Sequence, residues 1–220
     1  MHKPSSAPYS EPGPSLAPDP PFLLEETSQP SFRELFGGFL AHSSEMDAAI
    51  LSIRLGAVDL SHGEVEQARR MRVLVAEVNA RTLEGEAYAL LTDPGKRANL
   101  DRIVDLLRRG VLHLRSAPLG GWSPDFSLFC RDGKPQRLLL GLHWFHRPFP
   151  QRGPAWAMGF GPREASRARA RFLDLWEQAH DISVPVLQLL ERVSERQERA
   201  QGGAYGSRGS PPGTRTFPKK

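Results

Sequence analysis

Between Trp122 and His146 the chain reads WSPDFSLFCRDGKPQRLLLGLHWFH, and most of its candidates for chemistry fall inside this stretch. Asp125 and Asp132 stand seven residues apart with Ser127 and Cys130 between them, and His143 and His146 follow. Carboxylates and imidazoles can move protons, and a serine or cysteine can attack an electrophile once a base sits beside it. Spacing limits these options. Strand side chains alternate, so Asp125 and Ser127 share a face while Asp132 lies out of that alternation, and a working carboxylate pair is not expected. His143 and His146 could contribute to a metal site, but no cysteine or carboxylate beside them completes a ligand set, so no metal and no cofactor is predicted. Cys130, in SLFC, is expected to pack as a small apolar residue. His62 and His113 read as structural or exposed.

The elements around this stretch follow from periodicity. DFSLFC and RLLLGLHWF flank Asp132-Gly133, a strong hairpin signal, although the following Lys134-Pro135 argues for a longer loop. Upstream, Leu100, Ile103, Val104 and Leu107 recur at helical spacing and Gly110 suits the C′ position, so NLDRIVDLLRRG predicts a helix, followed by the strand VLHLRSA. A helix between two strands permits a parallel crossover. Ser31 with Glu34, and Ser61 with Glu64, form capping boxes. The first opens a helix through Phe32, Leu35, Phe36 and Phe39; after the second, EVEQARRM reads as helical and RVLVAEV as a strand, with the boundary open. Residues 48–60 read as a buried strand, and AYALLTD as a short apolar run ending in a turn or helix start at Asp93-Pro94. Beyond Pro162, Ala165, Ala168, Phe172, Leu175, Trp176 and Ala179 mark a long amphipathic helix, and Val186, Leu190 and Val193 mark a last one. The fold class is α/β: a mixed sheet flanked by helices, with disordered N- and C-terminal tails.

These residues resemble one half of the phospholipase D superfamily, whose motif is H-x-K-x4-D followed by a Gly-Ser/Gly-x-Asn turn. Asp125 stands at the His position, Ser127 at the Lys position and Asp132 at the Asp position, followed by Gly133. Gly141 opens GLHW where the turn would be. LLRRGVLHL is similar to the family's helix, glycine and strand, and ASRARARFLDLWEQA to its terminal helix, so the resemblance covers residues 46–182. It implies a single half that pairs as a homodimer. It also implies lost catalysis, because the family's histidine attacks phosphorus and its lysine holds phosphate oxygens. Asp125 offers no imidazole, and a carboxylate at about 4 Å from a phosphate oxygen repels it by about 4 kcal/mol at an effective dielectric near 20.

Charge and composition set the rest. The net charge of +4 resides in residues 201–220, where Arg208, Arg215, Lys219 and Lys220 meet no acid. Within the body, nine basic residues from Arg131 to Arg171 face only Asp132 and Glu164. With Trp144, His143, His146, Arg147, Phe149, Arg163 and Arg167, this region is a candidate ligand or nucleic-acid surface. Residues 1–30 hold eight prolines and read as a disordered arm. The expected organisation is an arm (1–30), a phospholipase D-like domain (31–182), a C-terminal helix (183–200) and a basic Gly/Pro-rich tail (201–220). A lone cysteine, no apolar leader and no membrane-length run point to the cytoplasm and away from membranes. The expected function is a non-catalytic binding or assembly module, homodimeric, with a protein or nucleic-acid partner. The alternatives are a phosphodiesterase or nuclease-type hydrolase using His143 or His146, and a nucleic-acid-binding protein.

Overall fold

A computed structural model describes residues 21–25, 32–55, 68–117, 125–141 and 156–206. In chain order the elements are β1 (Phe22–Glu25), α1 (Phe32–Ala41), β2 (Glu45–Ser52), β3 (Arg70–Glu77), α2 (Ala80–Thr92), α3 (Pro94–Arg108) and β4 (Leu112–Ser116). Then come β5 (Phe126–Arg131), β6 (Lys134–Gly141), β7 (Trp156–Phe160), α4 (Pro162–Gln178), β8 (His180–Asp181) and α5 (Ser183–Gly206). Among the described residues the strands form one eight-stranded sheet, ordered β1-β7-β6-β5-β2-β3-β4-β8. The α/β reading holds: β2, β3 and β4 are parallel, while the other pairings are antiparallel.

Helices cover both faces, and this is why β2 and β3 carry unbroken buried runs. Met46, Ala48 and Ile50 of β2 and Met71, Val73 and Val75 of β3 point into one core with α1, α2, α3 and α5. Ala49 and Leu74 point the other way, into a smaller core under Ala165 and Phe172 of α4. Phe129 joins the larger core, with the Phe36 and Phe39 rings at 5.1 and 5.4 Å. Such aromatic pairs add about 0.5–1.5 kcal/mol each beyond the area they bury.

Local signals explain most boundaries. Asp93 ends α2 and opens α3, its carboxylate accepting from Gly95 N at 3.0 Å, with Pro94 in the first turn. The Lys96 ammonium hydrogen-bonds this carboxyl and holds its pKa below the usual carboxylate range. AYALLTD is thus the end of one helix and the cap of the next. Gly110 adopts φ 63°, the left-handed backbone that closes α3. The parallel β3–β4 pair is joined by both α2 and α3, a crossover longer than a single helix.

Four expectations need correction. The hairpin loop is short: Arg131 pairs with Lys134, and Asp132 and Gly133 at φ 50° and 75° form a two-residue turn of the primed kind. Pro135 is accommodated where the register shifts between Phe129 and Cys130, because a bulge relieves the ladder of the missing N–H. Arg70 and Met71, read as the end of a helix, open β3, where the register with β2 outweighs helical propensity. The Pro-rich arm is not featureless throughout, since β1 pairs antiparallel with β7 and Phe22 packs against the larger core. The last helix also runs further than read, to Gly206. Ser31, Ser61 and Glu64 lie outside the described residues.

Candidate functional site

β5 sets the geometry of the motif-like positions. Asp125 precedes it at the carboxyl end of β2, where its Oδ1 accepts from Leu51 N at 3.0 Å and its carbonyl accepts from Gly141 N at 3.0 Å. Ser127 is 3% exposed and stands in register between Ala48 of β2 and Leu139 of β6. Asp132 lies at the far end of the strand, with its backbone N donating to Ser44 Oγ at 3.0 Å. Six strand residues separate the two aspartates, a span of roughly 23 Å over seven steps of 3.3 Å. Asp125, Ser127 and Asp132 therefore do not converge on one substrate atom. Asp132 and Gly133 are the residues that a primed turn requires, and Gly141, at φ 106°, ends β6 in a conformation that favours glycine.

Gly141 sits beside Asp125, so the segment carrying His143, Trp144, His146, Arg147 and Phe149 departs from that position; these five residues lie outside the described ones. β6 runs in the same direction as β2, because β5 is antiparallel to both. The connections after β2, β4 and β6 thus share the carboxyl end of the parallel strands, where open α/β sheets hold ligands. Of the described carboxylates there, Asp125 and Glu86 are engaged with backbone, while Glu77, at the end of β3, is exposed. Glu86 accepts from Leu55 N at 2.7 Å and pairs with Arg54 at 2.9 Å, holding the chain as it leaves β2. Among the described residues no three His, Cys, Asp or Glu side chains converge as metal ligands. Arg163 and Arg167 are exposed on α4.

The densest polar constellation lies under α4, and sequence reasoning missed it. Asp47, with no exposed surface, accepts from Arg72 Nε and Nη2 at 2.7 Å each. One rung away, Arg70 donates to Glu45 at 2.7 Å. Arg169 reaches down from α4 to Glu45 at 3.3 Å and Asp47 at 3.5 Å, and also donates to the Gly133 carbonyl. The Arg72 guanidinium lies 5.4 Å from the Phe172 ring and 5.7 Å from Trp176, while Arg115 stacks 4.8 Å from Trp176 and donates to its carbonyl at 2.6 Å. A signal was present: Glu45-x-Asp47 and Arg70-x-Arg72 have period-two spacing and opposite charge. Parallel register sets Glu45 beside Arg70 and Asp47 beside Arg72. Both Asp47 oxygens are occupied by guanidinium groups, so the pair acts as a structural clamp and leaves no free base.

Cys130 lies in the same layer, fully buried. Burial pushes its thiol pKa up to about 12, helped by the negative charges of Asp47 and Glu45 and opposed by Arg169 and Arg72. It packs as expected from sequence, and a proton-retaining thiol is a poor nucleophile.

No protein-family model and no curated protein matches the chain. Among solved structures it is similar to TrmBL2, an archaeal chromatin protein with a novel mode of DNA binding, at 16% identity and a TM-score of 0.39 over 66% of this chain. The chain spans about half of that protein, 48% of its length. It is also similar to Nuc, a phospholipase D family member from Salmonella typhimurium, at 13% identity and a TM-score of 0.46, over 73% of this chain and 97% of that one. Likenesses this loose carry no residue-level correspondence.

Proposed function

We propose that the chain is a non-catalytic, phospholipase D-like binding or assembly module that works in the cytoplasm as a homodimer. One observation carries this reading. Asp125 and Asp132 occupy opposite ends of β5, and buried Ser127 lies between them in the ladder, so the motif-like positions hold a scaffold together. Attack on phosphorus needs a nucleophile, an acid and fixed cations around one atom. Asp125 and Glu86 already serve backbone amides, and Asp47 a buried ion pair. No helix among the described residues is long and apolar enough to cross a membrane.

A hydrolase built on His143 or His146 is the competing reading, favoured by the departure of their segment beside Asp125. Purified protein is incubated with an activated phosphodiester and with plasmid DNA, alongside His143→Ala and His146→Ala. The expected result is no turnover above buffer in any sample. Turnover that survives purification and disappears in either variant would overturn the non-catalytic reading. Light scattering at micromolar concentration tests assembly separately: twice the chain mass supports the dimer, and the mass of one chain refutes it.

A further inference from the structure

We propose that the outward side of α4 binds the phosphate backbone of nucleic acid; this rests on the binding-module reading and names the partner class. Arg163, Arg167 and Arg171 are exposed and recur every four residues, so they form one row along the side of α4 away from the core contacts of Ala165 and Phe172. The row is roughly 12 Å long at 1.5 Å per residue. Among the described residues none of the three makes an ion pair. At the sheet end, Arg169 ties the hairpin turn to α4 through the Gly133 carbonyl, while Arg131 and Lys134 alternate with Cys130 and Pro135 and so leave the strands on the face away from α4.

The helical layer on the opposite face behaves differently. There, Arg54 pairs with Glu86 at 2.9 Å, Arg108 with Glu191 at 2.8 Å, Arg109 with Asp105 at 2.9 Å and Arg196 with Glu84 at 2.8 Å. Acidic partners neutralise those arginines, whereas the α4 row has only Glu164 within it and reaches an acid again at Asp174. Not every basic residue between Arg131 and Arg171 contributes. Arg169 is largely buried among its partners, and Arg137 stands opposite Phe129, on the face away from α4.

Chemistry favours nucleic acid over the other polyanions. All three exposed cations of the row are arginine, whose planar fork engages phosphate oxygens in pairs. An anionic membrane would call for apolar side chains among the charges, yet Ser166 and Ala170 lie between the arginines while Phe172 faces inward. A row of backbone contacts orients the nucleic acid without reading bases, so weak sequence preference follows.

The test uses the full chain and short labelled DNA and RNA in fluorescence anisotropy, from about 50 to about 200 mM salt. The expected result is binding that weakens steeply with salt. The triple variant Arg163→Gln, Arg167→Gln, Arg171→Gln should bind all sequences more weakly, with a log–log salt slope shallower by about 2.7 for three lost phosphate contacts. Circular dichroism checks that the variant is folded, and Arg167→Gln alone, with about a third of that change, stands in if it is not. No binding at low salt overturns the proposal. So does an unchanged slope in the variant with loss only on deleting residues 201–220, or binding to phosphatidylserine/phosphatidylcholine vesicles without binding to either oligonucleotide. Phosphodiester turnover would sink the non-catalytic reading and leave this surface standing; failed binding would do the reverse.

Discussion

Asp47 and Arg72 form a bidentate ion pair inside the sheet, with both contacts at 2.7 Å and the carboxylate fully enclosed. The pair links β2 to β3, and Arg169 adds a third contact from α4 at 3.5 Å. Removing one partner leaves a charge without compensation in a medium that solvates it poorly. Asp47→Ala is therefore expected to lower unfolding free energy by about 3–5 kcal/mol in urea titrations. Asp47→Leu with Arg72→Met, which removes both charges, should recover most of that loss. A single variant that costs less than about 1 kcal/mol, the range of an exposed pair, would show that the clamp is not a structural determinant.

Cys130 supplies a pH dependence whose sign can be worked out. Its thiol is raised from 9.0 to about 12 in the fold. Below pH 9 both folded and unfolded chains keep the proton, and the contribution to stability is complete. Between about pH 9 and 12 the unfolded chain loses the proton while the folded one retains it, so stability falls with rising pH, by about 1.4 kcal/mol per unit at most. Denaturant midpoints measured across that window, with Cys130→Ala as reference, read this slope. Reaction with a thiol reagent at pH 8 should await unfolding, and rapid labelling of folded protein would contradict the burial.

Gly159 and Phe22 fit together by absence. The Phe22 ring occupies the space that a Cβ at Gly159 would need, so β1 packs on β7 over a position with no side chain. Gly159→Ala is expected to loosen β1 at a cost of about 1–3 kcal/mol, the range for overpacking. Limited proteolysis should then cut before α1 sooner than in the parent chain. Adding Phe22→Ala removes the clash and should restore much of the protection. Equal cleavage of the parent and Gly159→Ala chains would mean that this contact does not hold the strand.

The candidate site was partly legible. Asp132-Gly133 announced its turn, because a two-residue hairpin needs backbone conformations that few residues adopt readily. Lys134-Pro135 misled, since a proline that interrupts a regular ladder is accommodated at a bulge, and the bulge depends on the partner strand. The clamp under α4 was written as alternating charges on two segments, but nothing local says which strand lies beside which.

By itself the sequence determined the features set by short-range periodicity and local sterics: the α/β class, the long amphipathic α4, the Leu100–Leu107 stripe of α3 with its Gly110 stop, and the inert character of Cys130. Tertiary structure alone decided the register that seats Asp47 against Arg72, the reach of Arg169 to both acids, and the sorting of arginines into clamp, rim and opposite face. The reason is physical: backbone sterics and side-chain period act over a few residues, whereas the energy of a charge depends on neighbours brought close from anywhere along the chain.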